Sequence, residues 1–220
     1  MPKVTLLEWQ KKNQERVNVY LDGEFAFGLN IMDALQLKKG QELDEITIAE
    51  LKNKDAIVKA IDVAANLLSY RPRSTDEIRQ KLAKKGYDEF VIETAIDRMV
   101  NLKYLDDHAF ARFWIESRNR SKPRGKRALS YELRNKGVAD AIIRELLEDM
   151  VDEESGAYEA AQKRIRRMRG KTEREFKQKV GAFLQRRGFN YESVNQALTT
   201  IIEELQVSDP DFFAEPDHDW

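Results

Sequence analysis

The chain has 220 residues, of which 41% are hydrophobic and 35% charged, and its formal net charge is −1; the charged share exceeds the roughly 25% usual in globular proteins, which predicts thin helical layers that face water. The absence of cysteine excludes disulfides, thiolate nucleophiles and cysteine-ligated zinc, and only His108 and His218 are available as imidazoles. No apolar run approaches the roughly 18 residues of a membrane span, and the first residues lack the apolar core of a signal peptide, so we expect a soluble cytoplasmic protein.

Residues 1–54 are predicted to form a β-hairpin region with a short helix. Apolar and polar residues alternate over residues 17–21 and 25–29, and Asp22-Gly23 lies between the two runs. Alternation on both sides of such a pair is typical of a hairpin with a tight turn. Residues 4–9 are a candidate third strand, and the short helix is expected after the hairpin.

Two loop lengths give different registers for this hairpin. A two-residue loop would place Val19 opposite Ala26 and would put the valines and the phenylalanines on opposite faces of the sheet. A three-residue loop, Leu21 to Gly23, pairs Val19 with Phe25 and keeps them on one face. We therefore predict the three-residue loop, with its glycine in the left-handed bulge position.

A motif that ends in glycine recurs three times at a spacing of 51 residues. The segment 82–86 corresponds to 133–137 and to 184–188 without any gap. The same shift relates four sets of apolar positions: Ile78, Leu129 and Val180; Ile92, Ile143 and Val194; Ile96, Leu147 and Leu198; Val100, Val151 and Ile202. Because one register is kept through two shifts, we predict a triplicated structural unit.

Each unit is predicted to contain three helices. In the first unit, Ser74 and Glu77 form the capping box that begins the middle helix, and Gly86 ends that helix in a left-handed conformation. Residues 92–99 have the i, i+3, i+4, i+7 apolar spacing of the third helix, and residues 56–68 supply the first. Units this small cannot bury enough apolar surface alone, so stacking into an elongated, curved array is expected.

The predicted fold is therefore mostly α, a tandem array of three three-helix repeats with a small N-terminal β-hairpin or β-sheet extension. The repeats are assigned to residues 55–105, 106–153 and 154–205. Residues 206–220, which include two prolines and five acidic residues, are predicted to be a disordered acidic tail. The aromatic residues of this tail leave two alternatives open, a motif for a partner protein and an intramolecular mimic of DNA that covers basic residues.

Charge is distributed unevenly along the chain. Residues 155–202 carry 11 basic and 4 acidic residues, whereas residues 203–220 carry 7 acidic residues and no basic one. A second basic window, residues 118–136, has 8 basic residues and Glu132 as its one acid. Arginine pairs well with phosphates and carboxylates, so both windows are candidate contacts with a nucleic acid or an acidic protein surface. The alternative is that these residues form solvated helical faces.

Two other groups of residues have a structural and a functional interpretation. Trp114 could stack on bases, but it follows Phe110 by the i, i+4 spacing of a buried helix face, so we predict that it packs in the core. Asp106 and Asp107 look like a paired metal site, but aspartate ahead of a helix is an ordinary N-cap, and we interpret them as capping residues. No metal and no cofactor is expected.

A set of motifs in the first two repeats resembles one known family. These motifs are Arg71-Pro72-Arg73-Ser74, residues 82–86, Tyr104-Leu105-Asp106-Asp107, Phe110-Ala111, Trp114, Arg118, Gly125 and residues 133–137. Together they are similar to the RecX regulatory proteins of bacteria, over about residues 57–203, and the hairpin region resembles the extension that some members carry. The third repeat departs from the pattern, with Arg174 and Glu175 in place of the Pro72-Arg73 pair.

The resemblance implies a non-enzymatic regulator that binds the groove of the filament that RecA, the bacterial recombinase, forms on DNA. It also implies that the protein mostly inhibits RecA filament growth, strand exchange, ATP hydrolysis and coprotease stimulation, in recombination and the SOS response. RecA is the expected partner, and single-stranded or double-stranded DNA is a further candidate ligand of what we expect to be a monomer. The residues expected to contact RecA or DNA are basic: Arg71, Arg73, Arg118, Arg120, Lys122, Arg124, Lys126, Arg127, Lys163, Arg164, Arg166, Arg167, Arg169 and Lys171.

Two other function classes are weighed against this one. A free-standing helical DNA-binding protein that competes for single-stranded DNA is the alternative, because a trihelical unit can place one helix in a DNA groove. Against it, no repeat clusters asparagine, glutamine and arginine for contacts with base edges. An enzyme is excluded because the sequence offers no thiol, no plausible histidine pairing and no phosphate-binding loop.

Overall fold

The computed structural model describes residues 1–11 and 13–215, and the chain divides into two compact units. The first unit comprises Met1–Arg73 and Glu77–Leu105, and the second comprises Ser74–Asp76 and Asp106–Trp220. The predicted fold class is confirmed, because three three-helix repeats follow an N-terminal sheet. Among the described residues, no helix combines the length and the apolar character needed to cross a membrane.

The N-terminal sheet has three antiparallel strands in the order β1 (Val4–Gln10), β2 (Asn13–Leu21) and β3 (Glu24–Asn30). The third strand predicted for residues 4–9 is therefore confirmed. One face of the sheet is buried, with Val17, Val19, Phe27 and Leu29 in its core. A short helix, α1 (Ile31–Ala34), follows β3 and is capped by the Asn30 side chain.

The register of the β2–β3 hairpin differs from the predicted one. Its loop has two residues, Asp22 and Gly23, which both have positive φ (50° and 91°). A bulge between this loop and Val19 then brings Val19 opposite Phe27 instead of the predicted Phe25. The three-residue loop was wrong because an extra residue inside β3, and not in the loop, restores the alternation that keeps both apolar side chains on the buried face.

Helix α2 (Glu45–Tyr70) has 26 residues and runs through the predicted boundary between residues 54 and 55. Its first half packs on the sheet through Leu51, and its second half packs in the first repeat through Ile57, Ala60 and Ala64. The sheet region and the first repeat are therefore joined by one continuous helix and not by a linker.

The first repeat is completed by α3 (Thr75–Lys84) and α4 (Glu89–Asn101). The apolar positions that the 51-residue repeat singled out in α3 and at the start of α4 are buried: Ile78, Leu82, Ile92 and Ile96. Val100 is the exception, at 43% exposed, because it lies on the solvent side of the last turn of α4. Gly86 follows α3 with φ of 86°, as predicted for a left-handed helix end.

The second repeat consists of α5 (Asp107–Ser121), α6 (Lys126–Arg134) and α7 (Asp140–Met150), and the third of α8 (Glu153–Ile165), α9 (Glu173–Arg186) and α10 (Tyr191–Ser208). A 3-10 turn, Arg166–Met168, extends α8. Each repeat has its own apolar core around its middle helix. Helix α9 begins about one turn earlier than the 51-residue register predicts, because Thr172 and Glu175 form a capping box there.

Two glycines bring the backbones of the second and third repeats into contact within the second unit. The Gly125 N–H donates to the Arg187 carbonyl oxygen (3.1 Å), and the Arg187 guanidinium donates to the Pro123 carbonyl oxygen (3.2 Å). A Cβ atom at Gly125 would overlap the carbonyl group of Gly188, and one at Gly188 would overlap the backbone of Ala128. Only glycine permits this approach at both positions.

The segment Ser74–Asp76, which belongs to the second unit, makes the corresponding contacts 51 residues earlier. The Ser74 hydroxyl donates to the Lys136 carbonyl oxygen, as the Gly125 N–H does to Arg187. A Cβ atom at Gly137 would overlap the side chain of Asp76. At Gly137 and Gly188, the recurring glycine thus serves both the left-handed helix end and a close approach of neighbouring chain segments.

The acidic tail is ordered as far as the structure describes it, so the prediction of disorder from residue 206 is wrong for residues 206–215. Helix α10 continues to Ser208, and Pro210–Phe212 form a 3-10 turn. The Phe212 side chain is 3% exposed and packs in the core of the third repeat. Acidic composition predicted disorder, but burial of the aromatic rings outweighs it here. The rest of the predicted tail, residues 216–220, lies outside the described residues.

Candidate functional site

Two of the predicted contact residues, Arg71 and Arg73, lie in the first unit and are engaged in internal contacts. The Arg71 guanidinium donates to both carboxylate oxygens of Glu77 (2.9 and 3.1 Å), and this hydrogen bonding raises the pKa of Arg71. The Arg73 Nε donates to the Leu67 carbonyl oxygen (3.0 Å) near the end of α2. Both side chains therefore fix the bend between α2 and α3.

In the second repeat, Glu132 of α6 neutralises much of the predicted basic window. Its carboxylate accepts from Arg118 Nε (2.8 Å), from Trp114 Nε1 (2.8 Å) and from Arg124 Nη1 (2.6 Å). The Arg118 guanidinium also lies 4.5 Å from the centroid of the Trp114 ring, and Lys136 Nζ lies 5.3 Å from it. Trp114 is half-buried and surrounded by cations, so it is a packing partner for arginine and lysine.

The prediction of a buried α5 face is confirmed at Phe110, whose ring lies 5.9 Å from that of Trp114. The capping prediction is confirmed for Asp106, whose carboxylate accepts from the backbone N–H groups of His108 and Ala109. Asp107 accepts from the Thr75 N–H (2.8 Å) within the second unit. Among the described residues, no group of three or more histidine, aspartate or glutamate side chains is placed to hold a metal ion.

Three other basic side chains of the second repeat also have acidic partners. Lys126 pairs with Glu148 (2.8 Å), Arg120 approaches Glu116 (3.7 Å) and Arg134 pairs with Asp140 (2.6 Å). Four exposed basic residues form no ion pair with a carboxylate in the described part of the chain: Arg112, Lys122, Arg127 and Arg144. The second repeat therefore presents both paired and unpaired cations.

The third repeat has a groove of about 570 Å³ between the end of α8 and α9. Phe183 and neutral residues line it, and none of the acidic residues that the structure describes does. Four basic side chains complete the lining: Arg164, Arg167, Lys179 and Arg186. Lys179 is paired with Glu175 (2.8 Å), whereas the three arginines form no ion pair with any carboxylate that the structure describes. The groove is thus an uncompensated positive surface of the kind that attracts polyanions.

Phe183 gathers arginines in this groove, as Glu132 does in the second repeat. Phe183 occupies the position that corresponds to Glu132 in the 51-residue register. The guanidinium of Arg164 lies 4.3 Å from its ring centroid and that of Arg187 lies 4.6 Å from it. An aromatic ring attracts and orients guanidinium groups without cancelling their charge. Where the second repeat neutralises its arginines, the third holds them in place with their charge intact.

Arg187 is the point at which the two basic windows meet. Burial lowers the pKa of Arg187, and the nearby charges of Arg124 and Arg164 lower it further. Arg124 comes from the loop before α6 and Arg164 from α8, so the fold of the second unit joins windows that are separate in the sequence. Arg187 and Arg164 repel each other here, and Arg124, which is paired with Glu132, adds to this repulsion. A bound anion would relieve it.

A second groove of about 650 Å³ lies beside the contact between the two repeats and has mixed charge. It is lined by Lys126, Arg127, Arg134 and Arg144, but also by Glu148 and Glu153. Of the remaining predicted residues, Lys163 and Arg166 are exposed, Arg169 pairs with Asp209, and Lys171 approaches Glu175 (3.8 Å).

The predicted contact residues do not include Phe183, Lys179 and Arg186, which line the first groove, or Arg144, which lines the second. They also do not include Arg187, which lies against the Phe183 ring. The predicted contact residues ahead of α9 rest on the high density of basic residues in that part of the sequence. The signal that identifies Phe183 is its register with Glu132, because an aromatic residue in place of a carboxylate changes what the neighbouring arginines can bind.

Four family models match successive parts of the chain. They are the regulatory protein RecX N-terminal domain (residues 2–44) and the RecX first, second and third three-helix domains (residues 60–99, 106–147 and 152–198). The two predicted basic windows fall mainly within the second and third three-helix domains.

Relatives named regulatory protein RecX have sequences similar to most of this chain. The regulatory protein RecX of Bacillus subtilis is 35% identical over 205 residues, covering 91% of this chain and 78% of the relative. That of Listeria monocytogenes serovar 1/2a is 32% identical over 211 residues, covering 94% and 78%. A crystal structure of regulatory protein RecX superposes with a TM-score of 0.74 at 30% identity, covering 93% of this chain and all of the other. The crystal structure of RecX from Lactobacillus salivarius has a TM-score of 0.61 at 26% identity, and the match covers 70% of this chain and 98% of the other.

Proposed function

This chain belongs to the RecX family, and we propose that it regulates RecA by binding in the groove of the RecA filament on DNA. Relatives are named regulatory proteins, which supports a regulatory role. We propose further that it mostly inhibits filament growth, strand exchange, ATP hydrolysis and coprotease stimulation by RecA in recombination and the SOS response. Binding is itself the activity in this account, performed by a cytoplasmic monomer without catalysis.

The observation that carries the proposal is the set of uncompensated arginines in the third repeat. Arg164, Arg167 and Arg186 line one groove and form no ion pair with a described carboxylate, and Arg187 joins them to Arg124 of the second repeat. A filament on DNA offers phosphates and acidic side chains, which such a surface binds through charge-assisted hydrogen bonds. Lys122, Arg127, Lys163 and Arg166, which are exposed and form no ion pair with a described carboxylate, are proposed as secondary contacts.

The contact between repeats gives this surface a fixed geometry. The backbones of the second and third repeats touch at Gly125 and Gly188, which directly follow Arg124 and Arg187 in the chain. A rigid array of cations loses less conformational entropy on binding than separate flexible side chains do. Seated in the filament groove, such an array would span neighbouring protomers and obstruct their addition or the exchange of DNA.

Arg71 and Arg73 take a structural role in this proposal. Their hydrogen bonds to Glu77 and to the Leu67 carbonyl oxygen support the first unit. We therefore propose the second unit as the principal binding surface.

The second candidate is a free-standing DNA-binding protein that competes with RecA for single-stranded DNA. The groove beside Phe183 favours it, because cations around an aromatic ring are typical of single-strand binding surfaces. The two candidates differ in whether RecA itself is needed for the effect.

The experiment that separates them measures the DNA-dependent ATP hydrolysis of RecA on single-stranded DNA during titration with this protein. We expect inhibition well below one protein per RecA protomer, because a bound regulator blocks a whole filament. Inhibition only at ratios that coat the DNA would favour simple competition. The absence of any effect on RecA at any ratio would contradict the proposed function.

A further inference from the structure

An acidic segment, residues 209–215, lies along the part of the third repeat that joins the 3-10 turn to α9. Two backbone hydrogen bonds fix it there: the Gly170 N–H donates to the Phe212 carbonyl oxygen (2.9 Å), and the Ala214 N–H donates to the Lys171 carbonyl oxygen (3.1 Å). The basic residues that precede α9 are therefore direct neighbours of this segment.

Two aromatic side chains anchor the segment. The Phe212 ring packs edge-on against Phe176 of α9, with 6.4 Å between ring centroids, and the Phe213 ring lies 5.5 Å from Phe176. Phe176 is fully buried in the core of the third repeat. The position of the acidic side chains is thus set by apolar burial and does not depend on their charge.

The anchored segment forms an ion pair with one of the predicted contact residues. The Arg169 guanidinium donates to both carboxylate oxygens of Asp209, with Nη2 3.1 Å from Oδ1. The hydrogen bond to Asp209 raises the pKa of Arg169, and the charge of Asp211 adds to this effect. Both carboxylates therefore act on a guanidinium that belongs to the basic run ahead of α9.

We propose that residues 209–215 are an intramolecular competitor for polyanions at the third repeat, an inference that rests on the proposed function. A phosphate or an acidic side chain that approaches Arg169 must displace Asp209, and it meets the negative charge of Asp211. The segment thereby lowers the affinity of the third repeat and the number of cations that contact a nucleic acid. It lowers the affinity of the protein for polyanions and does not line the groove beside Phe183.

The test removes the two charges and leaves the aromatic anchor in place. The variant Asp209→Asn/Asp211→Asn is compared with the wild-type protein in binding a labelled oligodeoxythymidylate at several salt concentrations, read by fluorescence anisotropy. We expect the variant to bind about two- to fivefold more tightly at low salt, as the loss of an exposed ion pair allows. The slope of log K against log salt should be steeper by about 0.7, because one more cation contacts a phosphate.

A matched control removes two negative charges from α10. Glu192→Gln/Glu203→Gln changes the net charge equally, and neither residue contacts a basic side chain in the part of the chain that the structure describes. This control should leave the slope unchanged. In an Arg169→Gln background, the two asparagine substitutions should no longer steepen the slope. Equal affinities and slopes for the variant and the control, including no binding by either, would overturn the inference.

The outcome is independent of the test of the proposed function. Oligonucleotide binding is measured without RecA, whereas the proposed function is judged by inhibition of RecA ATP hydrolysis by the wild-type protein. Thermal unfolding of each variant, followed by circular dichroism, confirms that Phe212 still anchors the segment.

Discussion

A single position distinguishes the electrostatics of the second and third repeats. Glu132 of α6 and Phe183 of α9 share one register, and each gathers arginines around it. The carboxylate neutralises its arginines, while the ring leaves them charged. One residue can therefore decide whether the arginines around it are paired with a carboxylate or packed on a ring with their charge unpaired.

Replacement of Glu132 should cost stability. In Glu132→Gln, the hydrogen bonds to Arg118, Arg124 and Trp114 lose their charged acceptor, and the half-buried guanidiniums lose their counter-ion. We expect the free energy of unfolding to fall by about 1–3 kcal/mol in urea denaturation. Glu145→Gln is the control, since among the described residues this exposed side chain has one polar partner, His108, at 3.4 Å. An equal loss in both variants would contradict the role of Glu132.

Replacement of Phe183 should affect binding more than folding. Phe183→Leu keeps an apolar side chain but removes the ring that orients Arg164 and Arg187. We expect oligonucleotide affinity to fall about two- to fivefold, corresponding to the roughly 0.5–1 kcal/mol of an exposed cation–π contact. Phe113→Leu is the matched control, because Phe113 is an exposed residue of α5 in the same unit. Unchanged affinity in the Phe183 variant would show that the ring does not organise the groove.

At the scale of elements, periodicity and glycine predicted most of the helices. The buried faces of α3, α6 and α9 and the left-handed ends at Gly86 and Gly137 follow from local pattern. These features depend on residues within one or two turns of each other, so they can be read from the sequence alone.

The features that were missed depend on contacts distant in sequence. The bulge in β3 depends on which face of the sheet is buried, and the continuity of α2 depends on packing at both of its halves. The meeting of Arg124 with Arg187 requires the contact between two repeats. No local pattern encodes these distances, so the convergence of the two basic windows could not be predicted.

The contact between repeats should be sensitive to a single methyl group. In Gly125→Ala, the Cβ atom would overlap the carbonyl group of Gly188, and the two backbones must move apart. We expect a loss of about 2–4 kcal/mol in the free energy of unfolding, measured by urea denaturation, which is in the range of severe overpacking.

Gly181→Ala provides the matched control for this substitution. Gly181 lies inside α9, and its added Cβ would make only ordinary contact with Leu198. The greater helix propensity of alanine should make this variant neutral or more stable by up to about 1 kcal/mol. A Gly125 variant as stable as the Gly181 variant would mean that the two backbones are not in close contact.

At the scale of the whole molecule, a net charge of −1 conceals a basic third repeat and an acidic tail. The arrangement suits a regulator that must recognise a polyanion without adhering to every nucleic acid it meets. If four arginines contact single-stranded DNA, log K should fall with log salt at a slope of about −2.8. The ordered part of the tail places Asp209 against Arg169 of the basic run, a contact that the sequence offered as an alternative to disorder.

The most direct test of the central claim is inhibition of RecA ATP hydrolysis by the variant Arg164→Gln/Arg167→Gln/Arg186→Gln, which removes the uncompensated charges of the third repeat. The control Lys81→Gln/Lys84→Gln/Lys85→Gln removes the same charge from exposed residues at the end of α3. We predict that half-inhibition requires at least about tenfold more of the groove variant, as expected from the loss of several charge-assisted contacts. The control should match the wild-type protein. Equal inhibition by the folded groove variant and the control would contradict the assignment of this surface.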